Sequence, residues 1–424
     1  MSYKIETDCV QAGWEPKNGE PRILPIYQST TYKYDSAAQL GTIFDLKEDG
    51  HTYSRLSNPT VAGLEEKIAA LEGGAAALCT ASGQSANFFA VFNIASCGDN
   101  FIAFTSIYGG SVNLFAVTFR RMGIEVRFAT PDMTDDELEK LFDERTRCVF
   151  GETIANPALN VFDVERYAKI AHRHGVPLIV DNTFATPVLL RPIEYGADIV
   201  THSLTKYMDG HASTLGGAIV DSGNFDWAAQ GKFPELSEPD ESYHGVVYTR
   251  DFGRTAYITK ARVQLMRDMG PVLSPNSAFM FYLGIDSLAV RVERHSENAL
   301  AAAKYLAAHP KVESVNFPLL ESSDQYELAK KYLKKGCCGV VSFIVKGGRE
   351  AAMRFMNALD LIDIVVHVAD ARSSILHPAS TTHRQLSDAQ LAAAGIDPGM
   401  VRFSVGIENI DDIIADLAQA FEKI

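Results

Sequence analysis

The sequence is poor in the features that mark secreted, membrane-spanning and nucleic-acid-binding chains. Its 424 residues hold six cysteines, none in a Cys-x-x-Cys pair. Cys337 and Cys338 are adjacent and cannot easily bridge each other, and a chain this long needs no disulfide staples. Reduced thiols and a cytoplasmic location are the expectation. Cys79 and Cys148 fall in apolar runs and read as small core residues. No apolar run is long enough to span a bilayer. The opening MSYKIETDCV lacks the basic start and apolar run of a secretory leader. Positive charge is also scarce. A net charge of −14 argues against a nucleic-acid partner, although an acidic chain can still carry a local basic patch. No GxGxxG fingerprint, Walker loop, His-Glu-x-x-His or Gly-x-Ser-x-Gly elbow occurs. His172 and His174 are two residues apart and do not share a helix face, so no metal site is expected.

The composition that remains, 46% apolar and 22% charged, is that of an ordinary globular protein. At roughly 100–200 residues per domain, the length predicts two or three domains. Residues 1–60 are irregular, with one short helix candidate over 35–46. Such a segment makes no core of its own and is expected to lie as an arm over this subunit or a neighbour. From Thr60 the pattern turns regular. Apolar Val61, Leu64, Ile68 and Leu71 line one side of a helix that ends in glycine. Strands at 75–80, 100–104, 124–129, 148–152 and 176–182 then alternate with helices, and two more strands follow at 197–203 and 216–221. This alternation predicts an α/β fold with a mainly parallel sheet covered on both faces, within a large domain over 61–255. Residues 224–254 read as an inserted loop. A helical region near 276–308, strands near 312–317, 339–348 and 401–408, and further helices predict a smaller α+β domain over 256–424.

Chemistry concentrates at Lys206. It follows the apolar stretch Ala197–Val200 in the run Ser203-Leu204-Thr205-Lys206, and the preceding strand ends in Asp181. A lysine and a carboxylate on successive strand ends suit pyridoxal phosphate: the amine bonds the aldehyde and the carboxylate keeps the ring nitrogen protonated. Taken singly, each is also an ordinary helix cap or a solvated lysine. Ser82-Gly83-Gln84 opens a helix after a strand, a place for an anion or simply a turn. Tyr53 and Arg55 in YSRLSNPT suit a phosphate, but by position alone a surface loop is the better reading. Tyr108-Gly109-Gly110 offers an aromatic face to a cofactor or, equally, to the sheet. Arg402 enters a buried strand and needs either a substrate carboxylate or an internal salt bridge.

Together the runs PIYQSTTY, YSRLSNPT, TASGQSAN, YGG, ETIANP, VDNTFATP, HSLTKY, HPASTTH and RFSVGIE span nearly the whole chain. They resemble the pyridoxal-phosphate enzymes of Cys/Met metabolism. The resemblance implies the type I fold of pyridoxal-phosphate transferases. It implies Lys206 as Schiff-base lysine, Asp181 on the ring nitrogen, and Gly83, Gln84, Ser203 and Thr205 on the phosphate. Tyr53 and Arg55 would reach that phosphate from a neighbouring subunit of a homotetramer, and Tyr53 would also border the substrate. Tyr108 would stack on the ring and assist proton transfer, and Asn156 would lie near its phenolic oxygen. Ser373 and Arg402 would take the substrate α-carboxylate, although VADARSSILHP departs from the family's usual pattern around Ser373. Gly110, Gln84, the 233–245 insert and the run HPASTTHRQL lean toward the sulfhydrylase branch. That branch replaces the acetate of O-acetylhomoserine with sulfide or a small thiol in methionine and cysteine biosynthesis. Methionine γ-lyase, cystathionine γ-synthase and a noncatalytic binding member are the alternatives.

Overall fold

The computed structural model describes residues 3–381, 384 and 397–424. Within the run HPASTTHRQL, Thr382, His383, Gln385 and Leu386 lie outside the described residues. The alternating pattern folds into a seven-stranded sheet of β1 (Ala76–Thr80), β2 (Asn100–Phe104), β3 (Glu125–Ala129), β4 (Thr146–Glu152), β5 (Leu178–Asp181), β6 (Ile199–Ser203) and β7 (Gly217–Asp221), in the order β1-β7-β6-β5-β4-β2-β3. Strands β3, β2, β4, β5 and β6 are mutually parallel, and β7 runs against both β6 and β1. Six strands therefore point one way, as the apolar runs predict. Apolar residues of β2, β4, β5 and β6 are buried on both faces, which is what crossover helices on either side demand.

A second sheet holds β8 (Val312–Asn316), β9 (Val340–Val345), β10 (Asp363–Ile364), β11 (Ser374–Leu376) and β12 (Met400–Ser404), in the order β10-β11-β12-β9-β8. It is mixed; helices 288–308 and 348–357 pack on it, and helix 410–422 packs on those two helices. The fold class is thus the expected one, a mainly parallel sheet with a smaller α+β unit.

Several elements differ from the sequence expectation. Ile5–Gln11 is helical and buries Ile5 and Cys9 against the helices at 59–72, 275–286 and 288–308. Two apolar residues one turn apart are too short a pattern to announce it. The 224–254 insert contains short helices at Pro234–Ser237 and Tyr248–Phe252, and it buries Trp227, Phe233, Leu236 and Tyr248. It is part of the core, with the Tyr248 hydroxyl donating to Asp240 at 2.7 Å. The helical connection between β2 and β3 is α-helical at Gly109–Asn113 and π-helical at Leu114–Phe119. The long helical region breaks at Ser287 into Pro275–Asp286 and Leu288–Ala308. Among the described residues no helix is long and apolar enough to cross a membrane. His172 pairs with Asp198, and His174 pairs with Glu139 while stacking on Phe142.

Behind β6 a buried polar cluster holds the sheet to the helix at 59–72. Glu72 Oε1 accepts from His202 Nε2 at 2.6 Å and from the Asn182 amide at 2.8 Å. His202 and Asn182 each adjoin a residue of the lysine–aspartate pair's strand ends, Ser203 and Asp181. Removing the carboxylate strands two buried donors, and breaking a buried pair of this kind costs about 3–5 kcal/mol. Glu72→Ala is therefore expected to lower stability by about that amount, read as a shift of the urea unfolding midpoint. An unchanged midpoint would show that the cluster carries no net stabilisation.

Candidate active site

The carboxyl ends of β4, β5 and β6 stand side by side, with Glu152 opposite Asp181 and Asp181 opposite Thr201. Because β7 is reversed, its first residue, Gly217, pairs with both Ser203 and Thr80. Glu152, Asp181 and Ser203 therefore share one edge of the sheet, the edge at which ligands bind in open α/β folds.

Lys206 lies in the turn after β6, where Leu204 N–H bonds the Gly216 carbonyl at 3.0 Å. Its Nζ lies 3.4 Å from His367 Nδ1. Burial, and then the charge of Arg402, lower the amine to about 8. A substantial neutral fraction, the nucleophilic form, is thus present just above neutral pH.

Asp181 is buried, and both oxygens are held. Oδ1 accepts the Thr183 N–H at 3.0 Å and the Thr183 hydroxyl at 2.5 Å, and Oδ2 accepts the Asn87 amide at 3.1 Å. Asn87 in turn accepts the Thr201 hydroxyl at 2.6 Å. Its neighbour Glu152 receives the backbone N–H of Tyr108 at 2.6 Å. Burial first, and the charge of Asp181 second, push the Glu152 carboxyl well above the usual carboxylate range. Glu152 thus fixes the backbone of Tyr108, whose ring is half exposed. A Cβ at Gly110 would lie 2.4 Å from that ring, so glycine leaves the room the ring occupies. The Gln84 amide donates to the Gly110 carbonyl at 2.9 Å, tying the two loops together.

The helix Gly83–Phe92 starts directly on the ends of β6 and β7. A Cβ at Gly83 would sit 2.6 Å from that of Ser203, and one at Gly217 would sit 2.2 Å from the Ser82 carbonyl oxygen. Ser82 caps the helix by accepting the Ser85 N–H at 3.1 Å. The first-turn N–H groups of Gly83 and Gln84 have no intrahelical acceptor. Among the described residues the Ser203 hydroxyl has no partner either. The Thr205 hydroxyl accepts the Gly216 N–H at 3.1 Å and donates to the Gly216 carbonyl at 3.3 Å.

From the second sheet comes Arg402 on β12, buried, with burial lowering it to about 10, so that it stays cationic. It donates to the Val366 carbonyl at 2.8 Å and to Asn156 Oδ1 at 3.4 Å, while its Nε has no partner among the described residues.

The structure thus gathers Lys206, Asp181, Gly83, Gln84, Ser203, Thr205, Tyr108, Asn156 and Arg402 around one edge. It does not bring three of the expected residues there. Tyr53 and Arg55 lie in a half-exposed loop, the guanidinium 5.3 Å from the Tyr53 ring centre, and no contact joins them to Lys206 among the described residues. Ser373 is buried and saturated: its hydroxyl donates to Glu408 at 3.0 Å and accepts the Gly406 N–H at 2.9 Å. His367 stands beside Lys206 instead. Sequence reasoning also passed over Glu152, Asn87 and Thr183, although each lies inside a quoted run, ETIANP, TASGQSAN and VDNTFATP. His367 lies in none.

This arrangement fits pyridoxal phosphate. It offers a buried nucleophilic amine for the aldehyde and a buried carboxylate for the ring nitrogen. It also offers unclaimed amides and a free hydroxyl at a ten-residue helix start for the phosphate. Comparison with known proteins agrees. The model of the Cys/Met metabolism PLP-dependent enzymes matches residues 6–422. The chain is 45% identical to an O-acetyl-L-homoserine sulfhydrylase of Leptospira meyeri, over 100% of this chain and 98% of that one. It is 48% identical to a homocysteine synthase of Schizosaccharomyces pombe, over 99% of both. A crystal structure of a putative O-acetylhomoserine (thiol)-lyase from Campylobacter jejuni, carrying N'-pyridoxyl-lysine-5'-monophosphate, superposes with a TM-score of 0.95. That match has 38% identity and covers 99% of this chain and 100% of that one. A full-length family match, laid over a lysine and an aspartate at adjoining strand ends, makes this chain a member of the Cys/Met metabolism PLP-dependent enzymes.

Proposed function

We propose that the chain forms homocysteine, or a related thioether, from O-acetyl-L-homoserine and sulfide or a small thiol, releasing acetate. The observation that carries the substrate is the end-to-end similarity to sulfhydrylases and homocysteine synthases at 45–48% identity. Pyridoxal phosphate, when bound, supplies an electron sink for negative charge at the substrate Cα. Lys206 tethers it and, once displaced, removes and returns protons at substrate carbon, for which an amine of pKa about 8 is suited. Asp181, pinned by Asn87 and Thr183, holds the ring nitrogen protonated. The amides of Gly83 and Gln84 and the hydroxyl of Ser203 take the phosphate, and Thr205 joins them by releasing the Gly216 carbonyl. Tyr108 would lie over the ring, Asn156 would lie near its phenolic oxygen, and Arg402 would take the substrate carboxylate. In the net reaction the Cγ–O bond breaks with its electron pair leaving on acetate, and a Cγ–S bond forms.

Tyr53 and Arg55 complete the phosphate site from a neighbouring subunit, with Tyr53 also bordering the substrate. The observation behind this is their separation from Lys206 within one chain. The arm over 1–60 then belongs to a site shared between subunits of a homotetramer, beside the large domain over 61–255 and the smaller one over 256–424. The same reading places the enzyme in the cytoplasm, where sulfide is its second substrate.

Three measurements test this. Purified protein given O-acetylhomoserine and sulfide is expected to yield homocysteine and acetate. Release of 2-oxobutyrate from methionine, with negligible acetylhomoserine turnover, would replace the reading with a γ-lyase. In apoprotein, Lys206 captures pyridoxal phosphate through its neutral amine. The folded lysine loses its proton at about 8, so the capture rate is expected to rise about tenfold per pH unit below pH 8 and level above it. Borohydride fixation followed by peptide mapping reads the site, and Lys206→Ala is expected to fix none at any pH. Finally, inactive Arg55→Ala and Lys206→Ala chains are expected to regain activity when co-assembled, because some mixed sites then hold both native residues. No recovery would place Arg55 in its own subunit's site.

A further inference from the structure

The side-chain amide of Asn87 bonds to three different walls of the cradle. Its Nδ2 donates to Asp181 Oδ2 on β5 at 3.1 Å and to Ser111 Oγ, in the helix that follows Tyr108, at 3.2 Å. Its Oδ1 accepts the Thr201 hydroxyl on β6 at 2.6 Å. Asn87, Ser111 and Thr201 are all buried. Turning the amide over would set its carbonyl against a carboxylate oxygen, two acceptors face to face. The side chain therefore has one orientation.

Asp181 ends this chain of bonds, and its acceptor sites can be counted. A carboxylate has about four, two on each oxygen. Oδ1 takes two donors from one residue, the N–H of Thr183 at 3.0 Å and its hydroxyl at 2.5 Å. That hydroxyl accepts the Ser203 N–H at 2.8 Å, which leaves its own proton for Asp181. Among the described residues Oδ2 takes only Asn87. The remaining acceptor site is thus on Oδ2. Asp181 keeps 7% of its surface exposed, so the carboxylate is not sealed. Two bonds on a single oxygen make a pivot, and the bond from Asn87 stops the other oxygen from swinging about it.

We propose that the cofactor's ring nitrogen donates to Oδ2 of Asp181, and that Asn87, itself set by Thr201, is the positioning residue that aims this oxygen. The inference rests on the proposed pairing of Asp181 with the ring nitrogen but not on the identity of the substrate. The competing role is structural: Asn87 would tie the helix Gly83–Phe92 to the sheet, as Glu72 ties the helix at 59–72. The two roles differ in what they support. A structural tie supports whatever the cradle holds, whereas an aimed oxygen matters only to a ligand with a ring N–H.

The test reconstitutes the full-length chain with pyridoxal phosphate and, separately, with its 1-deaza analogue, in which C–H replaces the ring nitrogen. The analogue keeps the aldehyde and the phosphate, so the contacts proposed for Lys206 and Gly83 are common to both. The ratio of the two dissociation constants, from equilibrium dialysis, is the readout. Asn87→Leu has a similar shape and no amide. It is expected to reduce the preference for pyridoxal phosphate about tenfold, the scale of one hydrogen bond to a charged group. Thr201→Val removes only the hydroxyl that sets the amide and is expected to reduce the ratio by a smaller factor, while Thr201→Ser keeps it. The double variant is expected to lose no more than Asn87→Leu alone, because both changes act through one bond. Equal weakening of both compounds, an unchanged ratio in Asn87→Leu, or additive losses would overturn the inference. If Asn87→Leu does not fold, Thr201→Val against Thr201→Ser decides, and equal ratios in those two overturn it. Asp181→Ala separates this inference from the reading beneath it. A wild-type preference in that variant would remove Asp181 from the ring nitrogen. Loss of preference there, with none in Asn87→Leu, would sink the role of Asn87 alone.

Discussion

The structure turns on keeping a lysine amine buried with no carboxylate against it. Among the described residues Lys206 has no ion pair; a neutral imidazole and the cation Arg402 are its charged or polar surroundings. Lowering its proton affinity from 10.5 to about 8 disfavours the ammonium by on the order of 3 kcal/mol. The sign is unfavourable to folding at neutral pH. An unfolded lysine keeps its proton up to about 10.5, the folded one releases it near 8, and the cost fades only as pH rises through that window. Lys67 shows the ordinary solution, a buried amine paired with Asp286 at 2.5 Å and lying 3.7 Å over the Tyr282 ring. Lys260 shows that a lowered pKa alone marks no site. It too titrates at about 8, yet it is capped by the Asn93 carbonyl at 2.7 Å.

A buried uncompensated amine requires rigid surroundings, and the carboxylates next to it are managed for that. Asp181 has both oxygens committed through Asn87 and Thr183, and Asn87 is fixed by Thr201 on the next strand. Glu152 lies one strand further and is held toward its neutral form by burial and by Asp181. Glu152 therefore serves as a backbone anchor for Tyr108, while Asp181 is the carboxylate proposed to meet the ring nitrogen. Two like charges on adjoining strand ends would otherwise compete.

Much of this was legible because strand ends are local features. The alternating apolar runs placed Asp181 and Lys206 on neighbouring strands, and parallel pairing brought their ends to one edge. Gly83 was legible as a helix start, but the reason for glycine was not. It is the contact with Ser203, 120 residues away, that excludes a side chain. Ser373 failed for a related reason. Strand β11 follows it closely, and its hydroxyl is consumed by Glu408 and Gly406, partners no short run announces. His367 is reached only through tertiary structure, since it approaches Lys206 across 161 residues and is placed by the grip of Arg402 on the Val366 carbonyl.

That grip lies within the second sheet, and other bonds register this sheet with the first. Lys206 and Asp181 come from the first sheet, and Arg402 and His367 from the second. The turn after Lys206 is stitched to the second sheet at several points. The Tyr207 hydroxyl accepts the Gly339 N–H at 2.7 Å just before β9, and the Gly210 carbonyl accepts the Ala371 N–H at 3.0 Å. Arg291, buried in the helix 288–308, donates to the Tyr207 carbonyl at 2.7 Å, and the Gly210 Cα lies so close to its guanidinium that a Cβ would meet it at 2.0 Å. Buried backbone groups leave little freedom, because each bond lost strands a polar atom away from water. The distance between the amine and the guanidinium is therefore fixed by main-chain bonds rather than by the two side chains themselves. The carboxylate site proposed on one sheet and the amine proposed as base on the other are thereby held in one register.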